Sequence, residues 1–120
     1  MNLLNLEDEK FKTVKVKGYT FKIKFMTPLE RIAIAQDRMR YQGGNPISAM
    51  TEDDFIFFEN VAINDNCIED LPPGFNEHES CLKWNDIELI NKVAMEIRNH
   101  TSKIEGKLKK NKPVEGIKSE

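Results

Sequence analysis

Between Phe11 and Met26 apolar residues recur at every second position. Val14 and Val16 alternate with Lys15 and Lys17, then Phe21, Ile23 and Phe25 with Lys22 and Lys24. A period of two belongs to a strand with one buried face, so the segment predicts a β-hairpin over about 11–26. Gly18 suits the first centre of a type II′ turn. A Gly18-Tyr19 loop then sets Val16 across from Phe21 and Val14 across from Ile23, with Phe25 on the same face. On the other face Lys15 meets Lys22; like charges directly across a ladder repel, so an acidic neighbour suits that side. An isolated hairpin is marginally stable, and its apolar face needs a cover.

The period then lengthens to that of a helix. Thr27-Pro28-Leu29-Glu30 predicts a start: a capping hydroxyl, a proline where the missing N–H costs nothing, and a carboxylate to close the capping box. The helix, about 28–41, places Leu29, Ile32, Ala33, Gln36 and Met39 on one stripe, expected to be buried, and Gly43-Gly44 and Asn45-Pro46 end it. A second helix, about 52–68, opens with Thr51 as cap and Glu52, Asp53 and Asp54 in its first turn, where the helix dipole favours negative charge. Its body puts Phe55, Phe58, Val61, Ala62 and Asp65 on one face and Ile56, Phe57 and Ile63 off it. A helix apolar nearly all round is central to a fold or to an interface. After Leu71-Pro72-Pro73-Gly74-Phe75 a third helix is predicted over about 86–108, capped by Asn85 with Glu88 at the box position. Its apolar seam is Ile87, Ile90, Ala94, Ile97, Thr101, Ile104 and Leu108.

The fold class expected is α+β and mainly helical: an N-terminal β-hairpin followed by three α-helices in a single domain over 1–110. Residues 111–120, with Lys112 and Lys118 set against Glu115 and Glu120, have little to bury and are expected to form a disordered tail. With 120 residues, 32% charged and a mean hydropathy of −0.56, the chain offers no apolar run long enough for a membrane span. No signal peptide is recognisable at Met1-Asn2-Leu3. Two cysteines make no disulfide framework and suggest a reducing compartment.

The net charge of −2 conceals a segregation. Residues 1–41 carry nine basic and five acidic side chains, residues 42–86 one and ten, and residues 87–120 eight and five. Opposite poles favour internal complementarity or head-to-tail association. The lysine face Lys15, Lys17, Lys22 and Lys24 is a candidate charged association face. The acidic middle and a pI near 5.8 argue against a phosphate backbone as its partner.

Candidate chemistry is sparse. Cys67, His78, Cys81 and His100 contain only one close pair, unlike the paired spacing of zinc sites, so no metal or other cofactor is expected. Cys67 suits a small core side chain and His100 a solvated helix position. Asp65 and Glu69 fall on one predicted helical face, but no nucleophile or phosphate-binding loop accompanies them, and no enzyme is expected. What the chain does offer is apolar helical surface. Phe57, Ile90, Ala94, Ile97, Ile104 and Leu108 are the candidate client or oligomer interface, with Ile97, Ile104 and Leu108 expected beyond the reach of a small core.

The order of elements, with Gly18 in the hairpin, Gln42-Gly43-Gly44-Asn45-Pro46, Thr51-Glu52-Asp53-Asp54-Phe55, Asn66-Cys67-Ile68-Glu69 and Pro72-Pro73-Gly74-Phe75, resembles the tail assembly chaperones of tailed phages and prophages. The likeness runs from the hairpin to about Lys110 and rests on pattern and order. It implies a non-enzymatic protein of the bacterial host cytoplasm that coats the tape-measure protein until tail-tube subunits displace it. The alternatives in other classes are a structural tail or connector component, which would be retained in virions, and a small regulatory nucleic-acid-binding protein, whose retention on DNA would depend on salt. Homo-oligomers are expected; nucleic-acid and membrane partners are not.

Overall fold

The structure, a computed structural model, describes residues 9–43 and 50–110. The disordered tail expected at 111–120 lies outside them, as do Gly44, Asn45 and Pro46. The fold is α+β. Strands β1 (Phe11–Val16) and β2 (Tyr19–Lys24) form the hairpin; helices α1 (Pro28–Gln42) and α2 (Glu52–Cys67) follow. A short strand β3 (Ile68–Asp70), a 3-10 turn at Cys81–Trp84 and the long helix α3 (Ile87–Lys110) complete it.

The hairpin turns one residue earlier than expected. Lys17 and Gly18 are its central residues, with φ of 52° and 84°, the positive pair of a type I′ turn. Val14 therefore pairs with Phe21 and Val16 with Tyr19. Each partner moves by two positions, so Val14, Val16, Phe21 and Ile23 keep their common face and are buried. The expected clash of Lys15 and Lys22 does not arise, because Lys15 faces Thr20 and Lys22 faces Thr13. Lysine carries a Cβ penalty in this left-handed turn. Its ammonium is anchored at 2.9 Å from Asp86 and 3.0 Å from Glu88, at the entry to α3.

Residue 68 opens β3 instead of closing the helix before it. The strand pairs antiparallel with β2, Ile68 against Ile23 and Asp70 against Lys22, with a one-residue irregularity between. The sheet order is β1-β2-β3. Asp70 thereby stands beside Lys22 in the register.

Thr27 caps α1 as its sequence predicts: it accepts from the Glu30 N–H at 3.4 Å, and Glu30 returns a bond to the Thr27 N–H at 3.2 Å. Gly43, with φ of 64°, ends the helix in the left-handed region. The cap of α3 is Asp86, whose carboxylate accepts from the Leu89 N–H at 3.0 Å. Asn85, expected in that role, instead closes the preceding 3-10 turn with φ of 58°.

The core joins Val14, Val16, Phe21 and Ile23 of the sheet to Ile34 of α1, Ala62, Ile63 and Cys67 of α2, and Leu89, Val93, Ala94 and Ile97 of α3. A smaller cluster of Val61, Cys81 and Ile90 lies beside it, with Phe57 and Trp84 packed against its edge. Ion pairs link the charge blocks across the chain: Arg31 meets Glu105 at 2.8 Å, Arg98 meets Glu59 at 3.4 Å, and Lys107 meets Glu9. Arg98–Glu59, like Lys17–Asp86, joins a basic block to the acidic middle, whereas the other two join the basic blocks to each other. No helix among the described residues is long and apolar enough to cross a membrane.

Candidate functional site

Most of the candidate interface is interior. Ile90, Ala94, Ile97 and Ile104 are buried, and Phe57 and Leu108 are half-buried. The seam on α3 is real, but from Ile90 onward it faces the rest of the fold, and its first member, Ile87, is exposed. Its C-terminal part does not outrun the core, because the chain before the hairpin and the start of α1 hold it through Glu9–Lys107 and Arg31–Glu105. The residue pattern marked an apolar helix face without indicating what covers it.

The lysine face is also partly engaged. Lys17 binds Asp86 and Glu88, and Lys24 lies 3.3 Å from Glu30. Lys22 stands over the Phe11 ring at 4.8 Å, and Lys15 is exposed. Opposite charge beside Lys17 raises its pKa and lowers those of Asp86 and Glu88, through the hydrogen bonds first. Burial pushes the Glu30 carboxyl up, but the Thr27 hydroxyl and Lys24 outweigh it and leave its pKa lowered.

Helix α1 is inverted relative to expectation. Leu29, Ile32 and Met39 are 75%, 60% and 59% exposed, with Gln36 exposed between them. Steps of three, four and three residues keep these four side chains on one face, about 15 Å long at 1.5 Å per residue. The opposite face packs inward through Ile34 and Gln42, helped by half-buried Arg38 and Tyr41. Arg38 finds its partners there: the Gln42 side-chain oxygen, and the Phe55 ring at 4.7 Å. A polar face can pack inward because α2 offers an aromatic ring and hydrogen-bonding groups, so the apolar face is left outward.

The second feature is a cleft of about 540 Å³ between the C-terminal half of α1, the end of α2, the start of β3 and the 3-10 turn. Asp65 organises it. Its carboxylate accepts from the Tyr41 hydroxyl at 2.6 Å, the Ser80 hydroxyl at 2.7 Å and the Cys81 N–H at 2.9 Å. Burial, followed by the bond to Asp65, raises the Tyr41 pKa. Asn64 also lines the cleft and is only 2% exposed. Its amide nitrogen donates to the Ile90 carbonyl at 2.9 Å, while its Oδ1 has no hydrogen-bond partner. Trp84 forms an aromatic wall, its ring 5.6 Å from Phe21 and 5.3 Å from Phe75.

Comparison with known proteins gives no relative. No protein-family model matches the chain, and no curated protein or solved structure does either. The functional argument therefore rests on these surfaces.

Other candidate groups are separated or engaged. Glu69 lies on β3 and does not continue the helical face of Asp65. His100 is buried instead of solvated, its Nε2 3.1 Å from the Lys10 carbonyl and its ring edge-on to Phe25. Cys67 and Cys81 are free and buried, and burial pushes both thiols up to about 12. Among the described residues no three His, Cys, Asp or Glu side chains are grouped so as to hold a metal ion. The cleft residues Asn64, Ser80 and Cys81 were not evident as a group from sequence. The only local signal was Asp65, an acid on an otherwise apolar helix face.

Proposed function

We propose that this chain is a non-enzymatic assembly chaperone that holds a helical client on the outer face of α1. The client is the tape-measure protein of a tailed phage, kept soluble until tail-tube subunits replace the chaperone. The observation that supports this reading is the outward turn of Leu29, Ile32 and Met39 on a helix whose inner face is largely polar. A helical stripe with apolar side chains at three- and four-residue steps is the complement of an amphipathic helix.

The magnitude suits a reversible holder. Covering the exposed parts of these three side chains is worth at most about 3–6 kcal/mol before the cost of association. A single contact is weak, whereas many copies along a long client gain from avidity. The test is co-expression with the tape-measure protein, using the parent chain and Leu29→Gln/Ile32→Gln/Met39→Gln. The parent should hold the client in the soluble fraction, and the triple variant, melting like the parent, should lose it. Equal client solubility with parent, variant and no chaperone would sink the proposal. Stoichiometric recovery of this chain in purified virions would instead favour a structural tail component.

A further inference from the structure

We infer that the cleft around Asn64 and Asp65 is a binding site for an organic cation, an ammonium or guanidinium group carried on a flexible stem. This inference does not depend on the assignment of the outer face of α1. Three independent features converge on it. The first is charge: five carboxylates line the cleft (Asp37, Asp65, Glu69, Glu77 and Glu79) against two basic groups, the Arg40 guanidinium and the His78 imidazole. Three of the five have partners, Glu77 lying 3.8 Å from the His78 imidazole. Asp37 meets Arg40 and the Asn66 amide, each at 2.8 Å, and Asp65 accepts three hydrogen bonds. Glu69 and Glu79 are exposed, and neither carboxylate has a partner among the described residues.

The second feature is the Asn64 Oδ1. It is an acceptor in a side chain 2% exposed, with no donor supplied by the fold. A group that donates N–H satisfies it; an anion cannot. The nitrogen of the same amide is already committed to Ile90, which fixes the orientation of the side chain. The third is the aromatic lining. Tyr41 and Trp84 both border the cleft, and cations bind favourably over such rings. Arg40 of the same chain already stands 5.5 Å from the Tyr41 ring centre. A neutral polyol would satisfy Asn64 but leave the two unpartnered carboxylates without a role.

Such a cation can come from a lysine or arginine side chain of a protein partner or from a free polyamine. Titration of the full chain with spermidine, and with an uncharged-backbone peptide bearing three lysines, separates the two sources. Trp84 is the only tryptophan, so its fluorescence reports on the cleft, and the Asn64 side-chain amide can be followed by NMR. The expected result is a saturable Trp84 change accompanied by a shift of the Asn64 amide. Glu69→Gln/Glu79→Gln, at exposed positions that leave folding intact, should weaken binding about tenfold at low salt. Tighter binding of the peptide assigns the site to a partner side chain, and tighter binding of spermidine assigns it to a polyamine. The inference is overturned if neither probe saturates, if sorbitol or matched sodium chloride gives the same response, if the Asn64 amide is unmoved, or if the double variant binds as the parent does.

Discussion

Replacing Ile97 with alanine and, separately, Leu29 with alanine tests which helical surfaces belong to the core. Ile97 is fully buried, within the cluster that joins α3 to Phe21, Ile23 and Ile63. Removing its outer carbons forfeits their burial and leaves a cavity, so Ile97→Ala should cost about 3 kcal/mol, within the usual range of roughly 2–5. For a domain of this size that lowers Tm by about 12–24 °C. Leu29 is 75% exposed, so only about a quarter of a burial worth roughly 2 kcal/mol is at stake. Alanine's higher helix propensity returns part of that. Leu29→Ala should therefore melt within about 4 °C of the parent. Thermal melts by circular dichroism and urea titrations read by Trp84 fluorescence give both numbers. The reasoning is refuted if Ile97→Ala melts beside the parent, or if Leu29→Ala loses stability on the scale of a core residue.

Two further outcomes follow from the titrating groups. Asp86, Glu88 and Glu30 have folded-state pKa values below their ordinary 3.8, 4.5 and 4.5, so the folded chain binds fewer protons than the unfolded one. Their contribution is present above those ordinary values and is lost as pH falls through the lowered ones. Urea midpoints should thus drop on acidification below about pH 5, and Lys17→Met should flatten that drop; a midpoint unchanged between pH 6 and pH 3 contradicts it. Cys67 and Cys81, with thiols pushed up to about 12, should be inert to a disulfide reagent at pH 8 in the folded protein and both react in urea. Rapid labelling of the folded chain at either position would contradict their burial.

The legible parts of the sequence were those decided by neighbours along the chain. The alternation of Val14 and Val16 with lysines, the Thr27–Glu30 capping box and the glycine stop at Gly43 each involve contacts within a few residues, and each is present. What was not legible depended on distant partners. The turn at Lys17 draws on Asp86 and Glu88, 69 and 71 positions away, so local turn preference pointed to Gly18-Tyr19 instead. Strand β3 is three residues long and exists through its pairing with Lys22 and Ile23. On α1 the spacing of Leu29, Ile32 and Met39 correctly marked one face, but spacing carries no information on which side the core lies. The cleft was the least legible feature, because Tyr41, Asp65 and Ser80 meet across three separate elements.

The hairpin and α3, far apart in sequence, close the fold on each other. The Met26 N–H donates to the Thr101 hydroxyl at 2.9 Å, Lys17 reaches Asp86, and the apolar side of the hairpin lies in one cluster with Leu89, Val93, Ala94 and Ile97. During synthesis the hairpin emerges well before the helix that covers it, with about 60 residues between them. Until α3 arrives, Val14, Val16, Phe21 and Ile23 stand on a sheet without that cover, and the nascent chain carries its own aggregation hazard. Translation through α3 is therefore the step that commits this protein to its native state, and a ribosome stalled before Ile87 would display a chain that cannot complete its core.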